Sequence, residues 1–295
     1  MEDELVSKSE KVLGTLVEIK LLSKHQGLFA HCFSELHRIE QAYSRFLDTS
    51  QLSILNSNLG TLQNASQEMI WLLAKAQEIK SKTEGNFDIG LKQALENLGY
   101  DKQYSFKPKK VVAPLPSVSG ENYSIDVSKR RVKLYRQVEF GGFGKGFALD
   151  RVASLLEKNG VRHYYVNAGG DIFAKKGKGE KDWIILLEHP DDPSKAIGTL
   201  KLDGMAIAAS APNRRKWGDY HHLLNARTQM PAQGVKSIFV TAKTGLEADA
   251  YATALFTAGF EQGITLSHRL PVEMLVVSSE NKMYRSKGFA AELFE

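Results

Sequence analysis

Polar and apolar residues alternate over residues 13 to 22, with Thr15, Val17 and Ile19 on one side and Leu16, Glu18 and Lys20 on the other, the period of a strand. From 27 to 46 the period lengthens, and Leu28, Phe29, Cys32, Phe33, Leu36, Ile39 and Tyr43 form one stripe of a helix. A second helix is expected to open at Asn64, with Gln67 three residues on, and to close at Gly85. Residues 124 to 136 read as a hairpin turning at Ser128 and Lys129. A glycine cluster at 141 to 146 leads into a helix over about 146 to 158, ended by Gly160, and then a strand at 161 to 167. Further strands fit 182 to 188, 197 to 209, 235 to 242 and 272 to 279, and an alanine-rich helix fits 246 to 258. Strands follow strands more often than they alternate with helices, which predicts an α+β fold of largely antiparallel sheets flanked by helices rather than a doubly wound one. No internal repeat, low-complexity tract or Pro/Gly linker divides the chain, so residues 1–295 read as a single domain.

With 295 residues, 42% of them hydrophobic and 25% charged, the chain is long enough to bury a sizeable core. No run approaches the roughly 18 apolar residues of a membrane span. The start, Met1-Glu2-Asp3-Glu4, is acidic where a signal peptide is basic and then apolar. As given, the chain is expected to be cytoplasmic; a trimmed leader would make it an extracytoplasmic lipoprotein. The lone cysteine, Cys32, shares a helix stripe with phenylalanines and leucines and reads as a buried structural thiol, so disulfides and thiolate metal sites within one chain are excluded. A net charge of +5 and a pI near 9.0 raise nucleic acid as a partner. The basic groups are scattered, however: Lys107, Lys109 and Lys110; Lys129, Arg130 and Arg131; Lys175, Lys176 and Lys178. Each lies beside an expected turn, so no nucleic acid partner is expected.

Three stretches carry candidate chemistry. Glu139-Phe140-Gly141-Gly142-Phe143-Gly144-Lys145-Gly146 precedes a helix, where bare amides and the helix dipole favour an anion. It matches neither the P-loop nor the GxGxxG spacing, and a plain tight turn remains the alternative. In the alanine-rich helix, Asp249 and Thr253 are four apart and share a face, a pair of hard oxygens suited to magnesium; an N-terminal acid with a back-bonding threonine is the other reading. In Tyr220-His221-His222-Leu223-Leu224-Asn225-Ala226-Arg227-Thr228, adjacent histidines on a strand face opposite ways, so one of them is a candidate general base and a structural histidine is the alternative.

Together these stretches resemble the ApbE family, the FAD:protein FMN transferases long labelled thiamine-biosynthesis lipoproteins. The resemblance runs from Leu13-Gly14-Thr15 nearly to the end. It takes in Ser44-Arg45-Phe46, the segment Ser50 to Asn56, Glu84-Gly85-Asn86-Phe87-Asp88-Ile89-Gly90, the glycine cluster, Val166-Asn167-Ala168-Gly169-Gly170-Asp171-Ile172, His222 to Thr228 and Ala248-Asp249-Ala250. It implies an ApbE-like (T-fold-like) arrangement. It implies that Leu13, Phe46, Asn86, Phe87, Asp88, Glu139, Lys145 and Leu224 contact FAD. The carbonyl of Gly142, with Asp249 and Thr253, falls where the family holds magnesium, and His222 falls at the proposed base, which makes His222 and Asp249 the catalytic pair. Glu139 replaces the usual Asp, Ala226 a Pro and Gln229 a Gly, and Ala209 and Ala211 flank Ser210 where Thr and Gly are common. The changes at Ala226 and Gln229 are expected to loosen the turn that aims His222.

The implied reaction is magnesium-dependent transfer of FMN from FAD to a threonine of an acceptor flavoprotein bearing an S/T-G-A-S/T motif, with release of AMP. The chain carries no obvious motif of that kind itself. The alternatives are an FAD pyrophosphatase giving FMN and AMP, a non-enzymatic flavin-binding protein, and a flavin oxidoreductase that leaves FAD intact.

Overall fold

A computed structural model describes residues 4–109 and 120–294; Met1, Glu2, Asp3 and Lys110, which entered the reading of the start and of the first basic group, lie outside them. Strand β1 (Leu5–Val12) pairs antiparallel with β2 (Thr15–Leu22) from Leu5 opposite Leu22 to Val12 opposite Thr15. Its polar run Ser7 to Lys11 leaves little hydropathy signal, so the strand goes unannounced, whereas β2 buries Val17, Ile19 and Leu21 completely. The two join through Leu13 (φ 57°) and Gly14 (φ 68°), the left-handed pair a tight hairpin turn needs. The long apolar stripe becomes α1 (Phe29–Tyr43), with Phe29, Cys32, Phe33, Leu36, Ile39 and Tyr43 buried. Burial pushes the Cys32 thiol up to about 12, the behaviour of an inert core thiol.

Next come α2 (Gln51–Ser57) and β3 (Leu62–Asn64). The second helix, α3 (Gln67–Lys82), starts later than Asn64: that residue ends β3, and Ser66 supplies the cap by accepting the Met69 amide at 3.1 Å. Then follow α4 (Lys92–Asn97) and the hairpin β4 (Tyr123–Asp126) with β5 (Arg131–Leu134). After α5 (Gly144–Lys158) come β6 (Tyr164–Ala168), β7 (Asp171–Lys175) and β8 (Trp183–His189). The single strand expected over 197 to 209 is two strands, β9 (Asp192–Leu202) and β10 (Met205–Ser210). Apolar residues continue on both sides of the break, which hides the turn at Asp203 and Gly204 (φ 63°). The chain ends with β11 (Lys216–Trp217), β12 (Tyr220–His221), β13 (Val235–Ala242), α6 (Gly245–Ala258), α7 (Phe260–Ser267), β14 (Glu273–Ser278), β15 (Met283–Arg285) and β16 (Ala291–Leu293).

An eight-stranded sheet in the order β1-β2-β6-β7-β10-β13-β14-β15 forms the frame, antiparallel at every pairing. Alternation along its strands separates two cores. Phe173 joins the core under α1, α5 and α6, while its neighbours Ile172 and Ala174 pack with Ile185, Leu187 and Leu200 of the small β16-β9-β8 layer and with Phe289 just before β16. The fold is thus α+β with antiparallel sheets flanked by helices, as the succession of strands predicts. No helix among the described residues is long and apolar enough to cross a membrane.

Helices α5 and α6 cross at Gly146 and Gly245. A Cβ on either would run into the other's carbonyl, so the approach needs two glycines. Asp150 of α5 accepts the Gly245 and Leu246 amides at the start of α6, and Asp249 of α6 accepts the Gly146 amide at 3.0 Å. Gly146→Ala is therefore expected to destabilise the protein by about 1–3 kcal/mol, read as a lower denaturant midpoint at unchanged slope.

Candidate active site

The glycine loop before α5, the turn after α3, the β1–β2 turn, α6 and the segment after β10 surround a cleft of about 460 Å³. Leu13, Phe46, Asn86, Phe87, Asp88, Glu139, Gly142, Lys145, His222, Leu224, Asp249 and Thr253 all line it, so every site residue picked out in the sequence comes to one place.

At one end, α6 presents Asp249 and, one turn on, Thr253, with Ala248, Ala250, Ala252 and Ala254 buried around them. Capping of α6 belongs to Thr244, whose Oγ1 accepts the Glu247 amide at 3.2 Å, and to Asp150, which leaves Asp249 a different role. The Thr253 hydroxyl reaches across to the Gly142 carbonyl at 3.4 Å. Gly142 owes its place to the packing of its loop, since a Cβ there would press on the Phe87 ring and the Thr253 side chain at 3.3 Å each. Lys145 lies 3.6 Å from Asp249 and pairs with Asp171, which also accepts the Ala209 amide. Burial pushes the Asp249 carboxyl up to about 6, against the pull of the Lys145 charge. Burial opposes the Lys145 charge, but Asp171 and Asp249 more than offset it and hold the ammonium above its ordinary value. Among the described residues no group of three or more His, Cys, Asp or Glu gathers as a metal cage. The oxygens of Asp249, Thr253 and Gly142 are instead a sparse, hard donor set, the kind that suits a cation keeping its remaining ligands from a substrate.

His222 follows β12 and projects into the cleft, whereas His221 points the other way, its Nδ1 accepting the Leu223 amide at 3.2 Å and its Nε2 lying 3.1 Å from the Ala232 carbonyl. His222 Nδ1 is buried without a hydrogen-bond partner among the described residues. Burial, together with the positive charges of Arg215 and Lys145 and of His221 when protonated, holds the His222 ring well below the usual histidine value, so it is neutral near pH 7. The turn beyond it is closed rather than loose. The Gln229 amide donates to the Asn225 carbonyl at 2.7 Å, the Asn225 side chain accepts the Arg227 and Thr228 amides, and Leu224 bridges to Pro231. Gln229 takes the left-handed conformation itself (φ 57°), at some conformational cost.

Another part of the wall is aromatic, and it reaches His222, whose ring centre lies 6.3 Å from that of Tyr100. Phe46 stacks on Tyr104, with Tyr100 edge-on at 6.0 Å. Arg45 is buried, its guanidinium 4.2 Å from the Phe46 ring centre and 4.7 Å from that of Tyr100. It donates to the Tyr100 carbonyl at 2.9 Å and lies 3.9 Å from Glu139. Glu139, one methylene longer than aspartate, turns back to accept the Gly141 amide at 2.8 Å. Thr83 and Thr257 pin the turn carrying Asn86 and Phe87. The Asp88 carboxylate is taken up by the Lys80 ammonium, the Gly90 amide and Asn122, so it shapes this wall. Arg45, Tyr104, Asp171 and Arg215 also line the cleft and carry no role in the sequence reading. Arg45 lies within Ser44-Arg45-Phe46 and Asp171 within the run from Val166 to Ile172, and those neighbours are the signal that could have found them.

The antiparallel α+β frame around this cleft is the fold of solved flavin-transferase structures. The crystal structure of the ApbE protein from Thermotoga maritima matches with a TM-score of 0.89 and 25% identity, over 97% of this chain and 98% of that one. The apo flavinyl transferase ApbE of Pseudomonas stutzeri shares the fold at a TM-score of 0.82 and 23% identity, over 100% and 99% of the two chains. The FAD:protein FMN transferase of Treponema pallidum is 25% identical over 314 residues, 96% of this chain and 87% of its own. The ApbE family model matches residues 13–276. The chain belongs to the ApbE family.

Proposed function

We propose that the protein transfers FMN from FAD to a threonine hydroxyl of an acceptor flavoprotein bearing an S/T-G-A-S/T motif, with magnesium, and releases AMP. The observation that carries this reading is the meeting, in one cleft, of a neutral buried imidazole with a free ring nitrogen, a lysine, and the oxygens of Asp249, Thr253 and Gly142. Asp249, Thr253 Oγ1 and the Gly142 carbonyl would hold magnesium, which supplies charge neutralisation at the pyrophosphate when bound. Lys145 offers its ammonium to a phosphate oxygen beside them. His222, neutral at physiological pH, accepts the proton of the acceptor hydroxyl as that oxygen bonds to the FMN phosphorus. The bond from that phosphorus to the bridging oxygen breaks, and AMP leaves with the bridging oxygen. Phe46 and the turn at Asn86 and Phe87 hold the dinucleotide while Asp88 steadies that turn.

Counting AMP released against acceptor added tests the reading. One AMP per acceptor molecule is expected, and AMP that keeps accumulating at full rate without acceptor would point to the pyrophosphatase instead. A pH dependence follows as well. With the Asp249 carboxyl raised to about 6, protons compete with the cation on the acid side, so magnesium affinity should weaken as pH falls through about 6 and level off above it. Magnesium titrations by calorimetry at pH 5 and pH 8 check this, and equal affinities would remove Asp249 from the cation site.

A further inference from the structure

Phe46 and Tyr104 lie almost parallel, ring centres 5.0 Å apart and planes 17° from each other. Phe46 is fixed from below by the Arg45 guanidinium and the edge of Tyr100. Tyr104 is the more open partner. The residue is 43% exposed, its hydroxyl makes no hydrogen bond among the described residues, its other ring neighbours are Tyr100 edge-on at 5.7 Å and Phe106 at 6.1 Å, and its segment enters the left-handed region at Gly99, Tyr104 and Phe106. A half-exposed ring kept in a ligand cleft by ring packing, with no hydrogen bond to its hydroxyl, covers a flat apolar face that a flat ligand would use.

Two stacked interfaces of about 3.5 Å each would set the outer rings roughly 7 Å apart, so nothing planar enters between Phe46 and Tyr104 until Tyr104 lifts. Beside this slot, Arg45 Nη1 is buried with no hydrogen-bond partner among the described residues. An isoalloxazine brings carbonyl acceptors on its pyrimidine edge; adenine has none. We infer that Tyr104 is the movable aromatic cap of the flavin ring, resting on Phe46 in the ligand-free protein and on the outer face of the isoalloxazine when FAD is bound. This rests on the transferase reading and adds to it a positioning residue for the FMN half.

The test compares wild type, Tyr104→Ala and Tyr104→Phe with FAD, FMN and ADP in the absence of magnesium, reading Kd and the fluorescence of the bound flavin. Tyr104→Ala should weaken FAD and FMN roughly three- to tenfold and leave ADP unchanged. Tyr104→Phe should keep wild-type affinity yet brighten the bound flavin, because phenylalanine is a far poorer electron donor to excited flavin than tyrosine; a purely structural role would not separate these two readings. Unchanged FAD and FMN affinity in Tyr104→Ala overturns the inference while transfer by wild type stands. Loss of ADP affinity with FMN untouched would make Tyr104 an adenine contact and overturns it too. Failure of wild type to bind either flavin would sink the transferase reading and this inference with it.

Discussion

Replacing Asp249 by alanine is expected to lower FMN transfer by roughly 10²- to 10³-fold, with magnesium affinity lost in parallel and the fold intact. Asp249 is buried on a helix face built of alanines, and alanine is the residue a helix interior tolerates best. The nearest cation, Lys145, keeps Asp171 as a partner, so the substitution leaves no isolated buried charge. Thr253→Ala should have a milder effect, since it removes one neutral ligand. Rates measured with calorimetric magnesium titrations and circular dichroism decide the matter. Retained turnover and retained cation binding in Asp249→Ala would leave the carboxylate only its contacts with the Gly146 amide and Lys145, a purely structural role.

His222→Ala should cut transfer by roughly 10²- to 10⁴-fold and leave FAD affinity nearly unchanged, the split expected of a proton acceptor. His221, whose ring nitrogens are taken up by the Ala232 carbonyl and the Leu223 amide, should affect stability more than rate. Because burial and nearby positive charges hold the His222 ring well below its ordinary value, it stays neutral as pH falls through 6.5. At subsaturating magnesium the acid limb of the rate profile should therefore follow the Asp249 carboxyl near pH 6 rather than His222. Wild-type transfer rates in His222→Ala would take the imidazole out of the mechanism.

Apolar content made legible the elements that pack into the core. The one-sided stripe of α1, and β13 and the alanine-rich α6, which are buried nearly throughout, stand where the pattern puts them. Elements held by position rather than by an apolar face left no such signal. Edge strand β1 is mostly polar, and β9 and β10 merge in the pattern because the turn between them interrupts no apolar run. Asn64 has the side chain of a cap but pairs in β3 with Arg131, and Ser66 caps instead. Among site residues, the sequence offered those inside ordered motifs, and the fold brings them to one cleft. Tyr104 and Arg215 lie outside those motifs, and only the packing of distant segments places them at its rim. Gly146 belongs to the glycine cluster read for phosphate, yet its spatial neighbour is Gly245, a constraint that appears only when α5 and α6 cross.

FMN transfer leaves a covalent mark on the acceptor, and intact mass spectrometry of the acceptor reads it directly. The protein is incubated with FAD, magnesium and a flavodomain carrying the S/T-G-A-S/T motif, and the flavodomain is then denatured and weighed. A gain of one FMN is expected, abolished by EDTA and by alanine in place of the motif's threonine. Free FMN and AMP beside an unmodified acceptor, across several acceptors, or FAD left whole throughout, would contradict it.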